Sequence, residues 1–257
     1  MSRPSLGGLW SRPVCVAPMA GGPTTVELVV AASNAGAFAF LAGAYRPASA
    51  LADDVRAVAA RVTGPFGVNV FVPGRPARDP QAVDRYLQEL GPEAAQLGAE
   101  LGQARWDDDD WEAKAEVLVD VAPAVVSFTF GCPPPAVADA LQRRGSLVMV
   151  TVTNPTEAAA AVAAGADLLC AQGIEAGAHR GSFDDAADDP ELAILDLVRA
   201  IGSRLGVPVV AAGGISTAAQ VRAALDAGAV AVQAGTAFLL SDEAGTSRVH
   251  RAALGDP

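Results

Sequence analysis

Residues 207–236 read VPVVAAGGISTAAQVRAALDAGAVAVQAGT, and this stretch decides the fold. A short apolar run (208–211) ends in Gly213-Gly214-Ile215. Residues 217–227 then carry apolar side chains at helical spacing up to Gly228, and a second short run (229–233) ends in Gly235-Thr236. Strand, helix and strand in this order form a βαβ unit. Its strands are covered on both faces, so they read as continuous apolar runs rather than alternating ones.

The same grammar extends outward in both directions. Strands are expected at 14–17, 37–41, 66–71, 124–128, 147–152, 167–171, 208–211 and 229–233. Helices are expected at 24–34, 47–61, 134–143, 155–164, 190–205 and 217–227, with a short last helix at 247–254. Asn154 and Ser216 stand where N-caps accept from free backbone N–H groups, and Gly165 and Gly228 stand where helices stop. Eight strands joined by helices predict a (β/α)8 TIM barrel, with a doubly wound sheet as the alternative that periodicity leaves open. The whole chain, 1–257, reads as one domain. Residues 75–120 exceed a single crossover and are expected to form a helical excursion or a cover over the barrel mouth. The acidic run at 107–110 reads as a solvated loop or helix start and carries no chemistry.

Composition agrees with this architecture. The 257 residues are 51% hydrophobic but only 5% aromatic, so Ala, Val and Leu must build the core by packing helices closely onto parallel strands. Eighteen Lys and Arg against 29 Asp and Glu give a net charge of −11, which argues against a nucleic-acid or anionic-membrane surface. Cysteines at 15, 132 and 170 form no C-x-x-C pair and no metal spacing with His179 and His250, so no metal and a reduced cytoplasm are expected. The N-terminus MSRPSLGGLW is broken by Pro and Gly before an export signal can form. No run approaches the roughly 18 apolar residues of a membrane span.

In either α/β fold a ligand belongs at the carboxyl ends of the strands. Pro18-Met19-Ala20-Gly21-Gly22 follows the first strand, Asn69-Val70-Phe71 the third, and Gln172 to Gly181 the sixth. The glycine turns after the last two strands, Gly213-Gly214 and Gly235-Thr236, suit a phosphate because their N–H groups meet an anion with no Cβ in the way; ordinary turns are the plainer alternative. His179 lies in the glycine-flanked loop after the sixth strand and is a candidate proton acceptor, with a surface histidine of equal standing. Gln172 and Asn69 can donate and accept toward a heterocycle, or else make turns. Met19 can flank a flat ring or fill core space, and Cys170, inside a strand, reads as a buried thiol rather than a nucleophile.

Segments 16–22 (VAPMAGG), 67–71 (GVNVF), 125–131 (VVSFTFG), 171–181 (AQGIEAGAHRG), 207–215 (VPVVAAGGI) and 233–239 (QAGTAFL) together resemble, in order and over nearly the whole chain, the nitronate monooxygenase family, formerly the 2-nitropropane dioxygenases. The QG-x-EAG-x-HRG element is the most discriminating of them. The resemblance implies an FMN-dependent barrel. In it Asn69, Gln172, Gly177, Gly214, Gln233, Ala234, Gly235 and Thr236 contact the flavin, Pro18 and Met19 lie along it, and the glycine turn at Gly213-Gly214 serves its phosphate. It implies that His179 is the catalytic base. It also implies that alkyl nitronates, and nitroalkanes in some members, are oxidised by dioxygen to a carbonyl compound and nitrite. The partners are then a small nitronate or nitroalkane and dioxygen, with no nucleic acid and no membrane; a homo-oligomer is compatible. Two departures stand out. Ala178 replaces a glycine found in many members, and the chain stops at Pro257 where family chains usually continue, so a C-terminally short barrel is expected. An FMN-dependent NAD(P)H oxidoreductase, reducing quinones or enoyl thioesters, and a truncated non-catalytic flavin binder are the alternative functions.

Overall fold

A computed structural model describes residues 6–77, 79–184 and 190–255. The first half of the chain runs β1 (Val14–Val16), α1 (Val26–Asn34), β2 (Phe38–Ala42), α2 (Ala48–Ala59), β3 (Gly67–Phe71), α3 (Pro80–Gln96), α4 (Trp111–Val121) and β4 (Val125–Thr129). The second half runs α5 (Pro135–Arg144), β5 (Leu147–Val152), α6 (Pro155–Ala163), β6 (Leu168–Gln172), α7 (Ile194–Leu205), β7 (Val209–Ala212), α8 (Ala218–Asp226), β8 (Ala231–Ala234) and α9 (Arg248–Gly255). All neighbouring strands pair in parallel, and β1 pairs with both β2 and β8, which closes the (β/α)8 barrel. That closure excludes the doubly wound sheet, whose edge strands have one neighbour each.

Local chemistry sets the helix starts. Asn154 caps α6 by accepting from Glu157 N at 2.9 Å, as the sequence predicts. At α8 the cap is Thr217 rather than Ser216. Thr217 is the extended residue, and its hydroxyl and Gln220 form a reciprocal capping box. Helix α7 starts at Ile194 instead of residue 190, because Glu191 has φ +48 and Ala193 is extended, conformations that an α-helix cannot include. Gly165 and Gly228, just past α6 and α8, take the left-handed conformation of helix stops.

The core has two parts. Inside the barrel lie Cys15, Phe38, Phe40, Met149, Leu168, Cys170 and Val210, with Leu9 and Trp10 packed onto them. Between barrel and helices lies a shell dominated by Val, Leu and Ala, such as Val68, Val126, Val150 and Leu169 from strands and Leu51, Leu141 and Val198 from helices. Each fully buried Val or Leu of this shell contributes about 1.5–3 kcal/mol. The strand ends are therefore a rigid platform.

Between β3 and β4, α3 buries no residue, whereas α4 packs beside α2 and α5. The acidic run leading into α4 is structural as well as solvated. Asp110 Oδ2 accepts from Ala48 N at 2.8 Å, at the first turn of α2, and Asp109 Oδ1 accepts from Tyr45 N at 2.9 Å. Asp109 also faces the ammonium of the buried Lys114 at 2.8 Å. Among the described residues no helix is long and apolar enough to cross a membrane, and no group of three or more His, Cys, Asp or Glu side chains gathers as metal ligands do.

Candidate active site

Strand alternation builds the floor of the site. Asn69 on β3 is paired in register with Ser127 on β4, and its Nδ2 donates to Ser127 O (3.2 Å), Ser127 Oγ (3.1 Å) and Thr129 Oγ1 (3.0 Å). Thr129 Oγ1 lies 3.4 Å from Thr151 Oγ1 on β5. Asn69 is thus a mid-strand residue bonded across the sheet, not a turn former. A carboxamide is suited to this place because its two donors span neighbouring strands while its oxygen remains free to accept.

The loop after β6 is anchored over that floor by Gln172, the last residue of the strand. Gln172 Nε2 donates to His179 O at 2.8 Å, and Gly181 N donates to Gln172 Oε1 at 2.7 Å. Gly181 comes so close to the floor that a Cβ there would lie 2.9 Å from Thr151 Cγ2 and 3.3 Å from Thr129 Cγ2. Arg180 extends in the opposite sense, Nη1 donating to Gln172 O at 2.9 Å and Nη2 to Thr153 O at 3.4 Å. The buried Glu157 accepts from Thr153 N (2.7 Å), Thr153 Oγ1 (2.9 Å) and Phe183 N (2.8 Å), tying the far side of the loop to the turn after β5.

This anchoring leaves the His179 imidazole exposed at the barrel mouth against two rings. Its centroid is 6.4 Å from Phe71 and 6.1 Å from Phe130. Phe71 and Phe130 meet edge to face at 4.7 Å, and Tyr45 meets Phe71 at 5.6 Å. Phe130 has φ +72, a conformation that costs a non-glycine residue energy and is held by its surroundings.

The opposite arc is made by β6, β7, β8 and β1. Gln172 pairs in register with Ala212, Ala212 with Gln233, and Ala234 with Val16. Gly213 and Gly214 turn with φ +105 and +65 beneath the β6 loop, where a Cβ on Gly213 would lie 3.1 Å from Ala176 N and one on Gly214 2.7 Å from Glu175 Cβ. Glu175 in turn accepts from Ile194 N at 3.0 and 3.1 Å, fixing the loop to the start of α7. Met19 packs beside Gly235, with Sδ 3.4 Å from where that residue's Cβ would stand, and its N–H donates to Thr24 Oγ1 at 2.8 Å. Thr236 opens a short 3-10 turn, Thr236–Phe238, whose first N–H groups have no partner within the turn itself.

Gln233 provides the test of whether a flavin fits here. Its Nε2 reaches Cys170 Sγ at 3.5 Å, but its buried Oε1 has no hydrogen-bond partner. A buried acceptor left open needs an explanation, and the ring N–H of a flat heterocycle in the mouth is one. Together with the glycine turns and the half-buried Met19, the donor and acceptor set fits FMN. Cys170 itself is a structural thiol. Burial pushes it up to about 12 despite a hydrogen bond with Thr151, and burial, then the neighbouring Cys170, raise Cys15 further still. Burial and the nearby Glu157 also raise Cys132, so none of the three is an activated nucleophile.

Asn69, Gln172, His179 and Gln233 therefore come together at the carboxyl ends of the strands, with Pro18, Met19, Gly177, Gly213, Gly214, Ala234, Gly235 and Thr236 on the strand termini and loops around them. Sequence reasoning overlooked Ser127, Thr129, Thr151 and Phe130. Ser127 and Thr129 were signalled by their period-two spacing on the strand that pairs with β3, whereas Thr151 and Phe130 enter through contacts across the mouth that no local pattern encodes.

Fold and site define a barrel enzyme whose ligand-binding face carries a loop histidine over a polar floor. The family model described as nitronate monooxygenase matches residues 4–257. A Pseudomonas aeruginosa protein named nitronate monooxygenase is 41% identical over 253 residues, covering 96% of this chain and 71% of that protein. One of the same name from Paraburkholderia phytofirmans is 38% identical, covering 95% and 67%. The crystal structure of a nitroalkane oxidase from Streptomyces ansochromogenes superposes with a TM-score of 0.93 at 42% identity, over 98% of this chain and 73% of that one. The chain belongs to the nitronate monooxygenase family of oxidoreductases.

Proposed function

We propose that this chain binds FMN and oxidises alkyl nitronates, and nitroalkanes after deprotonating them, with dioxygen as oxidant and a carbonyl compound and nitrite as products. The observation that carries the reading is the imidazole of His179, exposed over a polar floor, backed by Phe71 and Phe130 and anchored by Gln172. Residues 1–257 act in this reading as one flavin-binding barrel, with 75–120 as an excursion from it, in the cytoplasm and with small-molecule partners.

His179 is the base. In its neutral form it takes the proton from the carbon that bears the nitro group, whose acidity comes from delocalising the resulting charge onto two oxygens. The two phenylalanine rings limit where the imidazole can lie and keep water from one side of it. Arg180, the next residue, is held on two carbonyl oxygens and adds positive potential where the anion forms. Asn69, Gln172 and Gln233 would hold the flavin ring through their amides, Pro18 and Met19 would flank it, and Gly177, Gly213, Gly214, Ala234, Gly235 and Thr236 would serve its phosphate. FMN, when bound, supplies the electron acceptance that no side chain here can.

The test is optical. The purified chain is expected to carry a flavin spectrum that bleaches without oxygen on addition of the nitronate of 1-nitropropane, and not on addition of NADH or NADPH. Bleaching by the nicotinamides alone would replace this reading with an NAD(P)H oxidoreductase. A bound flavin that neither reduces would mean a non-catalytic binder.

A further inference from the structure

Arg251 is the one residue of α9 that is not exposed, and the helix buries none of its apolar side chains, Val249 and Leu254 included. At eight residues such a helix has little stability of its own in water. The Arg251 guanidinium fastens it to the segment that precedes it. Nη1 donates to Leu240 O at 3.0 Å, Nη2 to Ser241 O at 2.5 Å and to Ala244 O at 2.7 Å, and Nε to Thr246 O at 3.2 Å. A planar fork of five N–H donors suits four separate carbonyls, whereas an ammonium directs its three donors from a single atom.

The gripped segment, 240–246, joins two parts of the barrel mouth. At its start it continues the turn Thr236–Phe238, with Leu239 N donating to Thr236 O at 3.2 Å and Ser241 N to Phe238 O at 3.1 Å. At its far end it lies against the loop after β1. Gly245 N donates to Pro23 O at 3.0 Å, Thr25 Oγ1 donates to Glu243 O at 2.5 Å, and Gly22 O stands where a Cβ on Gly245 would be. The segment holds no helix or strand of its own, so its shape depends on partners for its main-chain groups, and Arg251 supplies them for four of its carbonyls.

We propose that Arg251 is a positioning residue for the cofactor: by fixing 240–246 it holds the Gly235-Thr236 turn where main-chain N–H groups meet the FMN phosphate. The inference rests on the FMN reading of that turn. A clamp with no bearing on the cofactor would stabilise the fold and treat every flavin alike. A positioning role is specific to the phosphate, because Asn69, Gln172 and Gln233, which that reading gives to the ring, stand on paired strands before the gripped segment.

FMN and riboflavin, which differ only in the phosphate, are therefore titrated into the flavin-free chain while flavin fluorescence is followed. The parent is expected to bind FMN far more tightly than riboflavin. R251A should weaken FMN by about ten-fold, the worth of one charge-assisted hydrogen bond, and riboflavin by less than about two-fold. R251K keeps the charge but not the fork and should fall between parent and R251A. Ethylguanidinium chloride should restore part of the FMN affinity of R251A, with ethylammonium chloride as the blank, and urea unfolding reads any loss of fold stability separately. Equal weakening of both flavins, or an FMN affinity unchanged in R251A, would overturn the proposal. Should R251A not fold, R251K carries the same comparison, and a parental ratio of FMN to riboflavin affinity in it would overturn the proposal. A parent that binds the two flavins equally, or binds neither, would overturn the FMN reading itself and this proposal with it.

Discussion

The side-chain amide of Gln172 donates to the backbone carbonyl of His179 at 2.8 Å while its oxygen accepts from Gly181 N at 2.7 Å, so one carboxamide holds both ends of a three-residue segment. The exposed imidazole is therefore positioned through its own backbone. Q172L removes both bonds and should lower stability by about 1–3 kcal/mol. Q172E keeps the acceptor for Gly181 N but sets an oxygen against His179 O. It should lower kcat on alkyl nitronates more than Q172L lowers it, although it retains one bond. Urea unfolding and steady-state kinetics on both variants check this, and a Q172E enzyme with parental kcat would show that the loop is held by other contacts.

His179→Asn separates the base from the rest of the site. Asparagine cannot take the proton, so oxidation of neutral nitroalkanes should fall by about 10²–10⁴-fold. Preformed nitronates need no deprotonation and should lose far less, and the flavin spectrum of the variant should match that of the parent. Parallel assays with 1-nitropropane and its nitronate decide the matter. An equal loss on both would assign His179 to binding.

The barrel was legible because its strands are apolar runs closed by glycine turns, and β5 has the expected bounds of 147 and 152. Five other strands extend one residue further than expected, to Ala42, Thr129, Gln172, Ala212 and Ala234, while β1 stops one residue short, at Val16. The ladder continues past the hydrophobic run because the backbone, not the side chain, makes the hydrogen bonds. Asn69 lies inside the expected strand 66–71, yet turn-making stayed open for it because the partner of a polar side chain on the next strand is not legible locally. The contacts of Glu157 with Phe183, of Asp110 with Ala48 and of Trp106 with Gly74 span 26, 62 and 32 residues, and no local pattern encodes them. The expected 75–120 excursion left the bounds of α3 open: Val83, Leu87 and Leu90 line one face of it, but that face is only half-buried and packs no residue fully away from water.

The two barrel thiols make stability fall at high pH. Burial raises Cys15 and Cys170 above the ordinary thiol value of about 8.5, Cys170 to about 12. Below about pH 8.5 both states keep these protons and nothing is lost. Above it the unfolded chain releases them while the folded chain holds them, so each thiol lowers unfolding free energy by about 1.4 kcal/mol per pH unit until the folded group titrates. Urea unfolding at pH 8, 9 and 10 should show this slope, and C170A should remove one thiol's share of it. An unchanged slope in C170A would show that other groups govern the alkaline limit.

Lys114 and Asp109 test whether the start of α4 is held by a buried charge. The lysine side chain is 1% exposed and its ammonium lies 2.8 Å from Asp109 Oδ1, at the N-terminal turn of α4. In D109N the asparagine oxygen can still accept from Tyr45 N, yet the ammonium loses its counter-charge in an apolar setting, and stability should drop by about 3 kcal/mol or more. Replacing both, D109N/K114M, removes the charge that needed a partner, and methionine fills a similar volume, so most of the loss should return. Thermal or urea unfolding of the single and double variants gives the coupling directly. If D109N alone is as stable as the parent, water must reach Lys114.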